Sequence, residues 1–91
     1  MELTTEQISR IASYVKEGLQ TNACLLAAQL LGLDDLAERL AYLRGEELGA
    51  RESRSALNRK RQVLCEQVMG EARSCLEPQA YAEFHQALVV L

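Results

Sequence analysis

Apolar residues recur along this chain at helical spacing almost throughout. Ile8, Ile11, Ala12, Val15 and Leu19 fall at steps that keep them on one side of a helix over about Thr5 to Glu17. Thr4 followed by Gln7 reads as a capping box at its start, and Gly18 as its stop. The run TNACLLAAQLLG is a second helix, with Thr21 or Asn22 as its cap and Gly32 as its left-handed end. Its leucines and alanines cover nearly the whole circumference, so it is expected to lie at the centre of the core or beneath a second subunit. A third helix starts near Asp34, carries Leu36, Ala37, Leu40, Ala41 and Leu43 on its buried side, and is expected to end at Gly45.

From about Arg51 to Leu76 the pattern predicts one long helix. Leu57, Leu64, Val68, Ala72 and Cys75 follow at steps of 7, 4, 4 and 3. A helix of that length would run roughly 39 Å. Pro78 opens a final helix at a favoured first-turn position, with Tyr81, Phe84, Leu88 and Leu91 on one side. The chain finishes on the apolar run LVVL. The predicted fold is all-α: one compact domain over residues 1–91, a bundle of four to five helices with one long helix over about 51–76. β-Branched residues are sparse, and one proline and five glycines leave few turns.

Composition changes the picture in one respect. The net charge of −3 is unevenly spread. Residues 1–50 hold eight acidic and four basic residues, and residues 51–91 hold five acidic and six basic ones. Five of the ten basic residues lie in RESRSALNRKRQ, residues 51–62. Arg51, Arg54, Asn58 and Arg61 step by 3, 4 and 3 and share a helix face, which Arg59 and Lys60 broaden. With only Glu52 nearby in sequence, this face reads as positive and suited to carboxylates on another protein, since arginine pairs with them in bidentate fashion.

Chemistry narrows the reading further. One histidine, His85, allows no histidine-rich metal site. Gly45 and Gly49 are flanked by Glu46 and Glu47, which would repel a bound phosphate. No nucleophile has a base and an orienting partner in view, so no enzyme activity, no metal and no cofactor are expected. Cys24, Cys65 and Cys75 show no ligand spacing and read as free thiols of a reducing, cytoplasmic compartment. The polar start MELTTEQ does not read as a signal peptide, and no apolar run approaches a membrane span.

Residues 27–43 have the outline of a helix-turn-helix and resemble the Fis-type unit over Ala27, Ala28, Gly32 and Leu33. Leu36 and Leu40 are out of step with that family, and Asp34, Asp35 and Glu38 stand where its reading helix would meet DNA. A leucine-packed αα-hairpin accounts for the same residues.

The apolar excess of the second helix, the length of the fourth and the LVVL end predict more surface than one copy can cover, and hence a homodimer or a hetero-complex. The expected function is that of a small cytosolic protein–protein interaction module: an adaptor, a chaperone-like subunit or an inhibitor that sequesters a partner. The partner-binding residues expected are Arg51, Arg54, Arg59, Lys60 and Arg61 for charge and Leu88, Val89, Val90 and Leu91 for apolar contact. The alternative is a nucleic-acid-binding regulator acting through residues 27–43 or the arginine face 51–61.

Overall fold

The structure is a computed structural model that describes residues 2–49 and 52–89. Five helices follow in order: α1 (Thr5–Lys16), α2 (Gln20–Leu30), α3 (Asp34–Gly49), α4 (Arg54–Cys75) and α5 (Pro78–Leu88). There is no strand among the described residues, and the all-α bundle is as the periodicity predicts.

Each boundary has a local cause. At the start of α1, the Gln7 N–H donates to Thr4 Oγ1 at 3.1 Å and the Thr4 N–H donates to Gln7 Oε1 at 2.9 Å, closing the capping box. Gly18, at φ +79°, ends it, with Leu19 N–H bonded to the Tyr14 carbonyl and Gly18 N–H to that of Val15. Gly32, at φ +73°, ends α2 in the same way, with Leu33 on Ala28 and Gly32 on Gln29. Both are Schellman motifs, which need the left-handed conformation that glycine adopts without a Cβ penalty.

These tight stops correct several sequence expectations. Leu19 does not continue the α1 stripe. The chain turns at Gly18 and leaves Leu19 43% exposed. It is also the residue that enters α2, so Thr21 and Asn22 fall inside that helix rather than capping it. Thr21 is buried, and its hydroxyl has no hydrogen-bond partner among the described residues. Gly45 does not end α3, which runs on to Gly49. A mid-helix glycine costs about 1 kcal/mol relative to alanine, and the extra turn is held where Glu46 and Glu47 reach basic residues of α4. The long helix begins three residues later than expected, at Arg54, because the Ser53 hydroxyl accepts from the Ala56 N–H at 3.2 Å and caps it. At 22 residues it is roughly 33 Å long. Gly70 passes within it, as expected. Its buried side leads from Val68 and Ala72 to Leu76, whereas Cys75 turns outward and is exposed.

α2 is the centre of the molecule. It packs against α1, α3, α4 and α5, with α1 also on α5 and α3 also on α4. Ala23, Cys24, Ala27 and Ala28 are fully buried, and small side chains there let four helices approach one. Ile11, Leu40, Val68 and Phe84 close on it from the four neighbours. The all-round apolar character of α2 is thus largely, but not wholly, satisfied within a single copy: Leu25, Leu26 and Leu30 stay partly buried.

Two cysteines expected as free thiols are joined. Cys24 of α2 and Cys65 of α4 form a disulfide with Cα atoms 5.8 Å apart, spanning 41 positions of sequence. Sequence spacing carries no sign of this pair, because only the packing of α4 on α2 brings it within bonding reach.

Candidate interaction surface

The basic segment is partly spent inside the molecule. Lys60 Nζ lies 2.7 Å from Glu52 Oε1 and 3.2 Å from Glu46 Oε2. Arg61 donates from Nη1 to Glu47 Oε2 at 3.0 Å and from Nη2 to Asn58 Oδ1 at 2.6 Å. The expectation that this face stays positive, with only Glu52 to compensate it, is corrected at Lys60 and Arg61, where α3 brings two further carboxylates, Glu46 and Glu47. The Lys60 ammonium holds the Glu52 carboxyl below its ordinary range, and the Glu52 hydrogen bond raises the Lys60 ammonium above its own.

The remaining expected residues divide three ways. Arg54, Asn58 and Arg61 border one hollow of about 640 Å³ together with Leu88 and Val89. The basic face and the C-terminal apolar run, far apart in sequence, thus meet at one end of the bundle. Arg59 is exposed but does not border that hollow. Leu88 is 2% exposed and belongs to the chain's own core, whereas Val89 is 43% exposed. Arg51, Val90 and Leu91 lie outside the described residues.

Two more hollows adjoin the first, and Gln20 and Arg61 border all three. One of about 600 Å³ opens between α4 and α5, past Cys65, Met69, Tyr81 and His85. The other, of about 310 Å³, lies between the α1–α2 turn and the end of α3, and is bordered by Leu19, Arg44 and Leu48. Leu48 is 78% exposed. Leu19 and Leu48 were missed as surface residues. Leu19 matches the α1 periodicity, and Leu48 lies beyond the expected end of α3, so neither carried a signal in sequence. Among the described residues Arg44 and Arg54 have no ion-pair partner, whereas Arg61 and Lys60 do.

The helix-turn-helix outline resolves into α2 and α3. Ala27 and Ala28 are sealed in the core. The outer face of α3 presents Asp35, Glu38, Arg39 and Tyr42, the last 74% exposed. Two carboxylates against one guanidinium would meet a phosphate backbone unfavourably, so this face lends no support to DNA reading.

Among the described residues, no three His, Cys, Asp or Glu side chains are grouped so as to hold a metal ion. Among those same residues, no helix is long and apolar enough to cross a membrane. Comparison with protein-family models, with the curated proteins and with the solved structures finds no match to this chain in any of the three.

Proposed function

We propose that this protein is a protein–protein interaction module that docks an acidic surface of its partner onto the end of the bundle formed by the α1–α2 turn, the end of α3, the start of α4 and the end of α5. The observation that carries this reading is the meeting of exposed Leu19, Leu48 and Val89 with Arg44 and Arg54 around adjoining hollows. Apolar side chains supply area for burial, and arginines without an ion-pair partner among the described residues select carboxylates. An adaptor, a chaperone-like subunit and an inhibitor that sequesters its target all use a surface of this kind.

A homodimer is part of the same proposal. Of the features that predicted it, α2 is largely covered by its four neighbours, and Leu88 of the LVVL end lies in the core while Val89 is exposed. Where the partner is a second copy, the exposed apolar residues at this end would form the dimer contact, in place of an outside partner. A cytoplasmic location is proposed with one condition. A disulfide is rare in a reducing compartment, so the Cys24–Cys65 pair must open and close there.

The test is purification of bound proteins with the wild-type chain and with Arg44→Glu/Arg54→Glu, alongside light scattering at micromolar concentration. The expected result is an acidic partner, or a second copy, that is held in moderate salt and lost on charge reversal. An unchanged set of bound proteins and a monomer with both chains would overturn the proposal. Retention on random duplex DNA at about 50 mM salt, where electrostatic attraction is strong, would instead favour the nucleic-acid reading.

A further inference from the structure

The two sulfurs of the Cys24–Cys65 bridge have different surroundings. Cys24 is fully buried in the middle of α2, among the small residues that receive the other helices. Cys65 keeps 8% of its surface and borders the hollow of about 600 Å³ between α4 and α5. That hollow exists because α4 and α5, though joined only through Leu76 and Glu77, touch each other sparingly, while α5 packs mainly on α1. Met69, Tyr81 and Leu88 line it with Cys65, and Arg61, Glu66 and His85 bring charged or protonatable groups to its border. A small molecule entering there reaches the bridge from the Cys65 side and not from the Cys24 side.

The geometry points to Cys65 as a thiol-exchange site for small-molecule thiols of the glutathione class, with Cys24 as the buried resolving thiol. The thiolate of the entering molecule attacks the Cys65 sulfur and forms a new S–S bond. The Cys24–Cys65 bond breaks, and Cys24 leaves as a thiolate that takes up the proton released when the entering thiol ionised. A second small thiol can then attack the mixed disulfide, releasing an oxidised dimer of the small molecule and leaving Cys65 as a thiol. In the reverse direction, Cys24 attacks the mixed disulfide, expels the small thiol and restores the bridge.

Access and leaving-group chemistry pull in opposite directions here. A thiolate left in apolar surroundings is disfavoured, which slows departure of Cys24. Attack on Cys24 itself has no path through the packed helices, so access decides the site. The outcome is a short-lived mixed disulfide on Cys65, displaced by Cys24 beside it. The covalent tie between the central helix and α4 thereby becomes dependent on the thiol–disulfide balance around the protein. In the bridged chain α4 is also held to its neighbours by Val68 and Ala72 in the shared core and by Glu46 and Glu47, contacts that do not involve the two sulfurs.

The test uses the full chain with Cys75→Ser, which removes the exposed third thiol. In that background Cys24→Ala leaves Cys65 alone and Cys65→Ala leaves Cys24 alone, and each is treated with oxidised glutathione. The folded Cys65 thiol is expected to form the mixed disulfide at least about tenfold faster than the folded Cys24 thiol, because reactivity follows exposure. The difference should vanish in urea. Equal rates in the folded chains, or no reaction of either until denaturation, would overturn the assignment. Wild-type protein provides a measurement free of core substitutions. In air-equilibrated buffer without added thiol or glutathione, alkylation under denaturing conditions should find one free thiol, Cys75. After brief exposure to reduced glutathione and acid quenching, the mixed disulfide should map to the Cys65 peptide. Three free thiols in the air-equilibrated buffer, or an adduct on Cys24, would sink the proposal.

Discussion

The guanidinium of Arg61 lies 3.0 Å from the Glu47 carboxylate and links the end of α3 to the second turn of α4, at the point where the three hollows adjoin. Both side chains are about a quarter exposed, so the pair is neither freely solvated nor sealed. Its role is to set the border of the interaction surface rather than to supply much stability. A double-mutant cycle on Glu47→Ala and Arg61→Ala, followed by urea unfolding, should give a coupling energy of about 0.2–1 kcal/mol. A value well above that range would mean that the pair is buried in solution.

Lys60, Glu52 and Glu46 form the neighbouring cluster, and its response to pH follows from the two shifts. The Glu52 carboxyl lies below its ordinary range, chiefly because Lys60 donates to it. Its contribution is therefore present above the unfolded-state value and is lost as pH falls through the folded one. The Lys60 ammonium lies above its ordinary range, chiefly because of Glu52. Its contribution is present below the unfolded-state value and is lost as pH rises through the folded one. The cluster thus stabilises the chain across neutral pH and weakens at both extremes. Lys60→Met should flatten the pH dependence of the thermal midpoint at both ends; an unchanged profile would show that solvent screens the cluster completely.

Glycines of two kinds should respond oppositely to alanine. Gly45 and Gly70 are helical, and nothing lies within 4 Å of an added Cβ at either. Each substitution should stabilise by about 0.5–1 kcal/mol. Gly32 has the same open space but φ +73°. Gly32→Ala should destabilise by about 1–2 kcal/mol through backbone strain alone. Urea midpoints of the three variants test the signs directly.

Thr21→Val removes a buried hydroxyl that lacks a hydrogen-bond partner among the described residues and keeps nearly the same shape. It should be neutral or stabilise by about 1 kcal/mol. A clear loss of stability would reveal a partner for that hydroxyl in solution.

Reducing the Cys24–Cys65 bridge opens a loop of 41 positions. The chain-entropy relation for a loop of this size corresponds to about 4 kcal/mol of stability. Calorimetry with and without a dithiol reductant should show a large fall in the thermal midpoint while helical circular dichroism persists at low temperature. An unchanged midpoint would mean that the bridge contributes nothing to holding α4 on α2.

The sequence by itself determined the local features of this protein. The Thr4–Gln7 box, the stops at Gly18 and Gly32 and the start at Pro78 each depend on a few adjacent residues, and those interactions are short-range. The all-round apolar α2 likewise carried its central position in its own composition. Only the tertiary structure decided which faces remain available. The packing of α3 against α4 neutralised Lys60 and Arg61 with carboxylates about fourteen positions away, and α2 against α4 joined Cys24 to Cys65. The same packing placed Leu88 inside the core and left Leu19 and Leu48 outside it. Helical periodicity says which residues share a side of one helix; which sides meet is set by how five helices fill one volume, and no single stretch of the chain contains that information.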